Sequence, residues 1–219
     1  MIRIISLFCA AFLVAQKAPA DLMPGLINDF EDGTLQGWSP PAGNTANIAT
    51  GGPSGAGDNY LQISPASRLA AFNATVNGVI NPQVTSIQVD VLRPVGTFPL
   101  ELRLVLFGSG GGNRWTSTGA QVIADDGQWS TYTFSTQEAD LTQVLGAGTY
   151  ADLSANLNRI MFRHNTGGPS AGGTPIAPTA GVFGIDNVIA VPEPSTLMLS
   201  ILALVGLALR RSAVRTALP

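Results

Sequence analysis

The side chains able to do chemistry are few and uneven in kind. Residues 21–190 hold thirteen Asp and Glu, six Arg and one His, His164, with no Lys and no Cys. The single cysteine, Cys9, lies ahead of this stretch, so the domain has no disulfide, thiolate metal site or cysteine nucleophile. One histidine is poor material for zinc, whose sites draw on several His or Cys. No Gly-x-Ser-x-Gly elbow accompanies His164, so a serine triad has no nucleophile turn. Acid pairs drawn from Asp125-Asp126, Glu138 and Asp140 would hydrolyse glycosides only if a fold set them about 5–10 Å apart in a cleft. Asp125-Asp126-Gly127 reads more simply as a turn. There is no phosphate loop or dinucleotide fingerprint, and no helix with a Lys follows Gly108–Gly112. Thirteen acids against six arginines leave about −7, with no basic stripe for a phosphate backbone, so no nucleic-acid partner is expected. The chain reads as non-catalytic.

Binding chemistry is better supplied. Sugar rings stack on exposed Trp or Tyr while Asn, Gln, Arg and Asp bond their hydroxyls. Trp115, beside Arg114 and Asn113 and just after a Gly-rich loop, has that composition and is the candidate polysaccharide contact. The alternative is that Trp115 packs its own loop. Tyr60, and Arg163 with His164, are lesser candidates. Trp38 and Trp129 are expected in the core.

These residues need a scaffold, and the ends of the chain are not part of it. Residues 1–20 carry Arg3, an apolar run from Ile4 to Ala15, and the small-x-small sequence Ala18-Pro19-Ala20. That is a secretory signal peptide for the Sec machinery and signal peptidase, with the mature chain starting at Asp21. At the other end, Pro192-Glu193-Pro194 precedes an apolar run, Leu197 to Leu209, and then Arg210-Arg211. The run is short for a bilayer span of about 17–25 residues. The double Arg after it is a positive-inside stop, and Pro194 fixes where a helix over 196–209 starts.

Residues 21–190 suit one domain. Charged residues are 11% of the chain, and Gly reaches 25. Short alternating runs recur between turns: Asn59–Ile63, Gln83–Leu92, Trp129–Phe134, Arg159–His164 and Val182–Val191. In Leu100–Phe107 the residues Leu100, Leu102 and Leu104 point inward, with Glu101 and Arg103 outward. One short helix is expected around Gln137–Leu145. No internal repeat occurs. The reading is an all-β fold, an antiparallel jelly-roll β-sandwich over 21–190, flanked by a signal peptide and a short C-terminal transmembrane helix.

Two resemblances sharpen this. The ordered set of Pro192-Glu193-Pro194, short apolar helix and basic cluster resembles the PEP-CTERM sorting signal, which would occupy 191–219 with its basic tail at 210–219. The resemblance implies processing by an exosortase, with Pro192, Glu193 and Pro194 as recognition element and Arg210 and Arg211 as the basic cluster. It also implies passage through the inner membrane, final residence at the cell surface or matrix, and a host that makes exopolysaccharide or biofilm. Asp29–Trp38, Gly127–Phe134 and Phe183–Val188 together resemble the jelly-roll superfamily of carbohydrate-binding modules and galactose-binding-like domains. That resemblance places Glu31 and Asp186, from the first and last strands, as neighbours. With Asp58 and carbonyls of Gly55–Asn59 they would hold a structural Ca²⁺. The alternative is that Glu31 pairs with an Arg such as Arg68 and Asp186 caps a turn.

Overall fold

The structure is a computed structural model describing residues 20–41, 43–65, 68–175 and 181–193. Nearly all of the expected signal peptide, Pro194, the 196–209 helix, and Arg210 and Arg211 of the basic tail lie outside these residues. Among the described residues no helix is long and apolar enough to cross a membrane.

In chain order the strands are β1 (Ala20–Leu22), β2 (Gly25–Asn28), β3 (Trp38–Ser39), β4 (Gly43–Ile48), β5 (Tyr60–Pro65), β6 (Ala70–Asn73), β7 (Val76–Ile80) and β8 (Val84–Leu92). They continue as β9 (Leu100–Gly108), β10 (Arg114–Ser117), β11 (Gln121–Ile123), β12 (Trp129–Ser135), β13 (Leu141–Leu145), β14 (Leu157–His164) and β15 (Phe183–Pro192). One helix, α1 (Tyr150–Ala155), precedes β14. Nine strands form the larger sheet, ordered β1-β7-β14-β9-β10-β13, with β6 also on β14, β3 on β6 and β11 on β9. Six form the smaller, ordered β12-β8-β15-β5-β4, with β2 on β15. The pairings are antiparallel except β1 with β7. The all-β sandwich expected from the alternation is the fold of this chain.

Period-two alternation builds the core. On β8, Ile87, Val89 and Val91 are buried while Ser86, Gln88 and Asp90 face out. They meet Leu102, Leu104 and Leu106 of β9, Ile160 and Phe162 of β14, and Phe183, Ile185 and Val188 of β15 in one cluster. Trp38 is stacked on Phe162 inside it, with centroids 5.6 Å apart. The other face of β9 is also buried: Arg103, Val105 and Phe107 lie 5%, 0% and 2% exposed. Val105, Phe107, Ala70 and Met161 form a second apolar cluster on the outside of the larger sheet. Arg103 points to this outer face, as the alternation predicts, but is buried there rather than solvated. Its guanidinium bonds the carbonyls of Asn165, Ser117 and Thr118.

The expected helix over Gln137–Leu145 is also corrected. Glu138–Asp140 form a single 3₁₀ turn, and Leu141–Leu145 pair with β10 as a strand. The helix starts later, where Thr149 and Asp152 form a reciprocal capping box.

Candidate functional site

Two clusters of charge stand on opposite sheets. The first is acidic, at the outer side of β15. Asp186 and Asp90 are cross-strand partners, an arrangement in which like charges repel. A register shift between Asp186 and Ile189 places Asn187 at φ +46°. Its side chain bonds Asp90 Oδ2 at 2.9 Å, and its N–H donates to Asp186 Oδ1 at 2.7 Å. Asp186 is 1% exposed, and its Oδ2 is buried with no hydrogen-bond partner. Burial pushes this carboxyl up to about 7, aided by the charges of Asp58, Asp90 and Glu31 and opposed by the Asn187 bond.

The neighbours of Asp186 are held by local geometry. Phe30 is fully buried in the left-handed region at φ +57°, a costly conformation for a bulky residue. Gln36 Oε1 accepts the N–H groups of Asp29 and Phe30, and Asn47 donates to the Phe30 carbonyl at 2.7 Å. That fixes Glu31, whose Oε1 accepts the Asn59 N–H at 2.9 Å. Asp58 caps its own loop by accepting the Ser54 N–H. Glu31, Asp58 and Asp186 thus share one electrostatic neighbourhood, and Glu31 is not paired with Arg68. An uncompensated carboxylate group with an unbonded buried oxygen fits a hard cation, which takes six to eight oxygens. Among the described residues no three acid or imidazole groups converge closely enough to hold an ion on side chains alone. An ion there would also draw on backbone carbonyls and water.

The second cluster is basic, on the outer face of the larger sheet. The register sets Arg159 against Phe107, Met161 against Val105, and Arg163 against Arg103. Arg114 also pairs with Phe107, from the other side. Two guanidinium groups lie against the Phe107 ring, Arg114 at 4.5 Å and Arg159 at 4.3 Å, with Phe72 4.9 Å from Arg159. The loop after β14 closes one side: Arg163 donates to the Ser170 and Ala171 carbonyls, and Arg114 to Ala171. Gly173 is pressed so close to Arg163 that a Cβ there would sit 2.9 Å from its Cδ. These residues with Arg68 bound an open cavity of about 190 Å³.

The expected trio of Asn113, Arg114 and Trp115 splits. Arg114 lines the cavity. Trp115 turns to the other side of β10, where its Nε1–H donates to Asn113 Oδ1 at 2.9 Å and its ring meets Tyr150 edge-on. Asn113 in turn donates to the Thr149 carbonyl and accepts from Gln143. Trp129 is half-buried rather than core. It sits edge-on to Tyr60 over Gly184, whose missing Cβ leaves room for the ring. His164 is 3% exposed and takes the Glu101 N–H on Nδ1 at 3.1 Å. Burial lowers its pKa and outweighs the opposing influence of Glu101. Sequence reasoning missed Arg68, Arg159 and Phe107. The available signal was the alternation Arg159-x-Met161-x-Arg163, which puts two cations and an apolar side chain on one face.

Residues 190–212 match the family described as the PEP-CTERM protein-sorting motif. Such a motif marks a protein exported and sorted to the cell surface; Ala190, Val191, Pro192 and Glu193 are the described residues of the match. No curated protein matches the chain. Among solved structures, an exo-beta-agarase superposes with a TM-score of 0.54 at 15% identity, over 78% of this chain. The chain spans only 25% of that enzyme's length. The family 11 carbohydrate-binding module of a cellulosomal cellulase of Clostridium thermocellum gives 0.48 at 14% identity, over 78% of this chain and 96% of the module. The CBM22-1 xylan-binding domain from Paenibacillus barcinonensis gives 0.47 at 17% identity, over 82% of this chain and all of the domain. The likeness to the agarase shows the fold alone, an antiparallel two-sheet β-sandwich.

Proposed function

We propose that this chain is an exported, exosortase-processed surface protein whose sandwich domain, residues 21–190, binds polysaccharide without cleaving it. The observation that carries the reading is the cavity in the outer face of the larger sheet. It joins an apolar floor of Phe107 and Met161 to the hydrogen-bond donors of Arg68, Arg114, Arg159 and Arg163. Apolar surface with a few placed donors is what a sugar needs. Its lining includes no carboxylate or imidazole to act as general acid or base. At about 190 Å³ it is smaller than the roughly 300–1,000 Å³ of a drug-sized site, and suits one group of a chain that runs on across the surface.

The rest of the sequence supports this use. Residues 1–20 would route the chain through the Sec machinery and signal peptidase. The sorting signal over 191–219 would present Pro192-Glu193-Pro194 to exosortase while its apolar helix rests in the inner membrane, and would deliver the domain to a biofilm matrix. Glu31, Asp58 and Asp186 would hold a structural Ca²⁺, which supplies charge neutralisation and ties the first segment to the last strand.

Affinity electrophoresis of the purified protein, through gels containing the host's exopolysaccharide, reads the proposal. Retardation that grows with polymer concentration is expected. Unretarded migration in every polysaccharide gel would refute binding and leave a purely structural matrix role.

A further inference from the structure

We infer that the cavity selects acidic polysaccharide, seating an oxyanion of the glycan, a carboxylate or an ester sulfate or phosphate, among Arg114, Arg159 and Arg163, with Arg68 at the rim. The inference deepens the polysaccharide reading and rests on it.

The distribution of charge argues for it. The domain carries about −7 and has only six arginines, yet four of them line this one cavity. Among the described residues no carboxylate forms an ion pair with any of the four. The ion pair among the described residues is Arg93 with Asp125, elsewhere in the fold. Concentrating cations on an acidic protein without partners destabilises the folded state, so their presence calls for a ligand of opposite charge.

The state of each guanidinium points the same way. Arg163 is 4% exposed, and its two terminal nitrogens are used by the loop carbonyls. Its Nε is buried and makes no hydrogen bond. Burial, then the like charges of Arg114, Arg68 and Arg103, push this group down to about 10, which leaves it ionised at neutral pH and repelled by its neighbours. Arg159 makes no hydrogen bond to a described residue, and the Nε atoms of Arg114 and Arg159 are also buried without partners. Phe107 lies against both of these guanidinium groups. Stacking on the ring holds the planar groups by their faces and leaves for a ligand the terminal N–H groups that have no described hydrogen-bond partner, Nη1 and Nη2 of Arg159 and Nη2 of Arg114. Those donors match the paired oxygens of a carboxylate, sulfate or phosphate group.

The test uses one polymer backbone in three charge states: dextran, carboxymethyl-dextran and dextran sulfate, each titrated into the full-length protein by calorimetry. The acidic net charge of the domain works against general attraction to a polyanion, so tight binding of the acidic forms reports a local site. The expected result is binding of one or both acidic dextrans at least tenfold tighter than dextran, weakening as salt rises. The preferred acid distinguishes a carboxylate source from a sulfate source, and competition by inorganic phosphate reports the shared oxyanion chemistry. Arg159→Gln should weaken acidic binding about tenfold with the melting temperature within about 2–4 °C of the parent, because the lost Phe107 and Phe72 ring contacts are offset by relief of like-charge repulsion. Arg114→Gln should also weaken acidic binding, with a lower melting temperature because it gives up the bond to the Ala171 carbonyl, and serves as the second variant. Equal binding of dextran and its acidic forms, or acidic binding unmoved by both variants, overturns the inference while the polysaccharide reading stands. Failure of all three dextrans and of the host exopolysaccharide overturns the polysaccharide reading, and this inference with it.

Discussion

Replacing Asp186 with Asn separates the charge of this carboxyl from its shape. Asn keeps an acceptor for the Asn187 N–H, and its new amide donor faces a neighbourhood of carboxylates. In metal-free protein the folded carboxyl holds its proton to about pH 7, while its ordinary value is 3.8. Between these values the folded state binds more protons than the unfolded one, so stability falls as pH rises from about 4 to about 7, and the loss is complete above that. The difference corresponds to at most about 4 kcal/mol at pH 8. A domain of this size moves its melting temperature by about 2–4 °C per kcal/mol. In chelator at pH 8, Asp186→Asn should therefore melt about 10 °C above the parent, and the two should coincide near pH 4. In millimolar Ca²⁺ at pH 8 the order should reverse. An ion that binds only the folded state raises the parent by RT ln(1 + [L]/Kd), and the variant lacks a ligand. Circular-dichroism melts at both pH values, with EDTA and with Ca²⁺, provide the readout. If the variant melts below the parent in EDTA at pH 8, the buried charge is not the liability argued here. If it gains as much from Ca²⁺ as the parent does, Asp186 is not a ligand.

Two further outcomes follow from the core and the one imidazole. Trp38→Ala removes a ring that is 1% exposed, stacked on Phe162 and bonded through Nε1–H to Asn28 Oδ1 at 2.8 Å; urea unfolding should show a loss of about 3–5 kcal/mol. His164 should titrate below its ordinary 6.5, because burial disfavours the imidazolium. The folded state then binds fewer protons than the unfolded chain, so this group contributes stability at higher pH that is lost on acidification through 6.5. As the single histidine, it can be followed by its own imidazole NMR resonance, and a midpoint at or above 6.5 would contradict the argument.

The strands were legible because burial of one face leaves period-two alternation, as in Leu100, Leu102 and Leu104 against Glu101. The segment Gln137–Leu145 was not, because its composition suits a helix and only pairing of Leu141–Gln143 with β10 decides otherwise. Such long-range pairing outweighs weak local propensity. Trp129 was misjudged for a related reason: what lets its ring lie outside the sheet is the absent side chain of Gly184, 55 residues away in sequence.

The basic cavity shows the same limit in sharper form. Alternation puts Arg159, Met161 and Arg163 on one face of their strand, and Arg103, Val105 and Phe107 on one face of theirs. That the two faces adjoin depends on the β14–β9 register, which a single sequence does not specify. The register also explains why the outside of β9 is buried at all, since two strands with apolar and cationic outer faces come together there under the loop after β14. The acidic cluster at Asp186 stands on the opposite sheet, so these charges cannot neutralise one another. On the proposals made above, one would be balanced by a cation and the other by an oxyanion. Because the two clusters draw on different sheets, Ca²⁺ should stabilise the Arg159→Gln variant as much as the parent, and an acidic dextran should protect Asp186→Asn as well as it protects the parent in chelator.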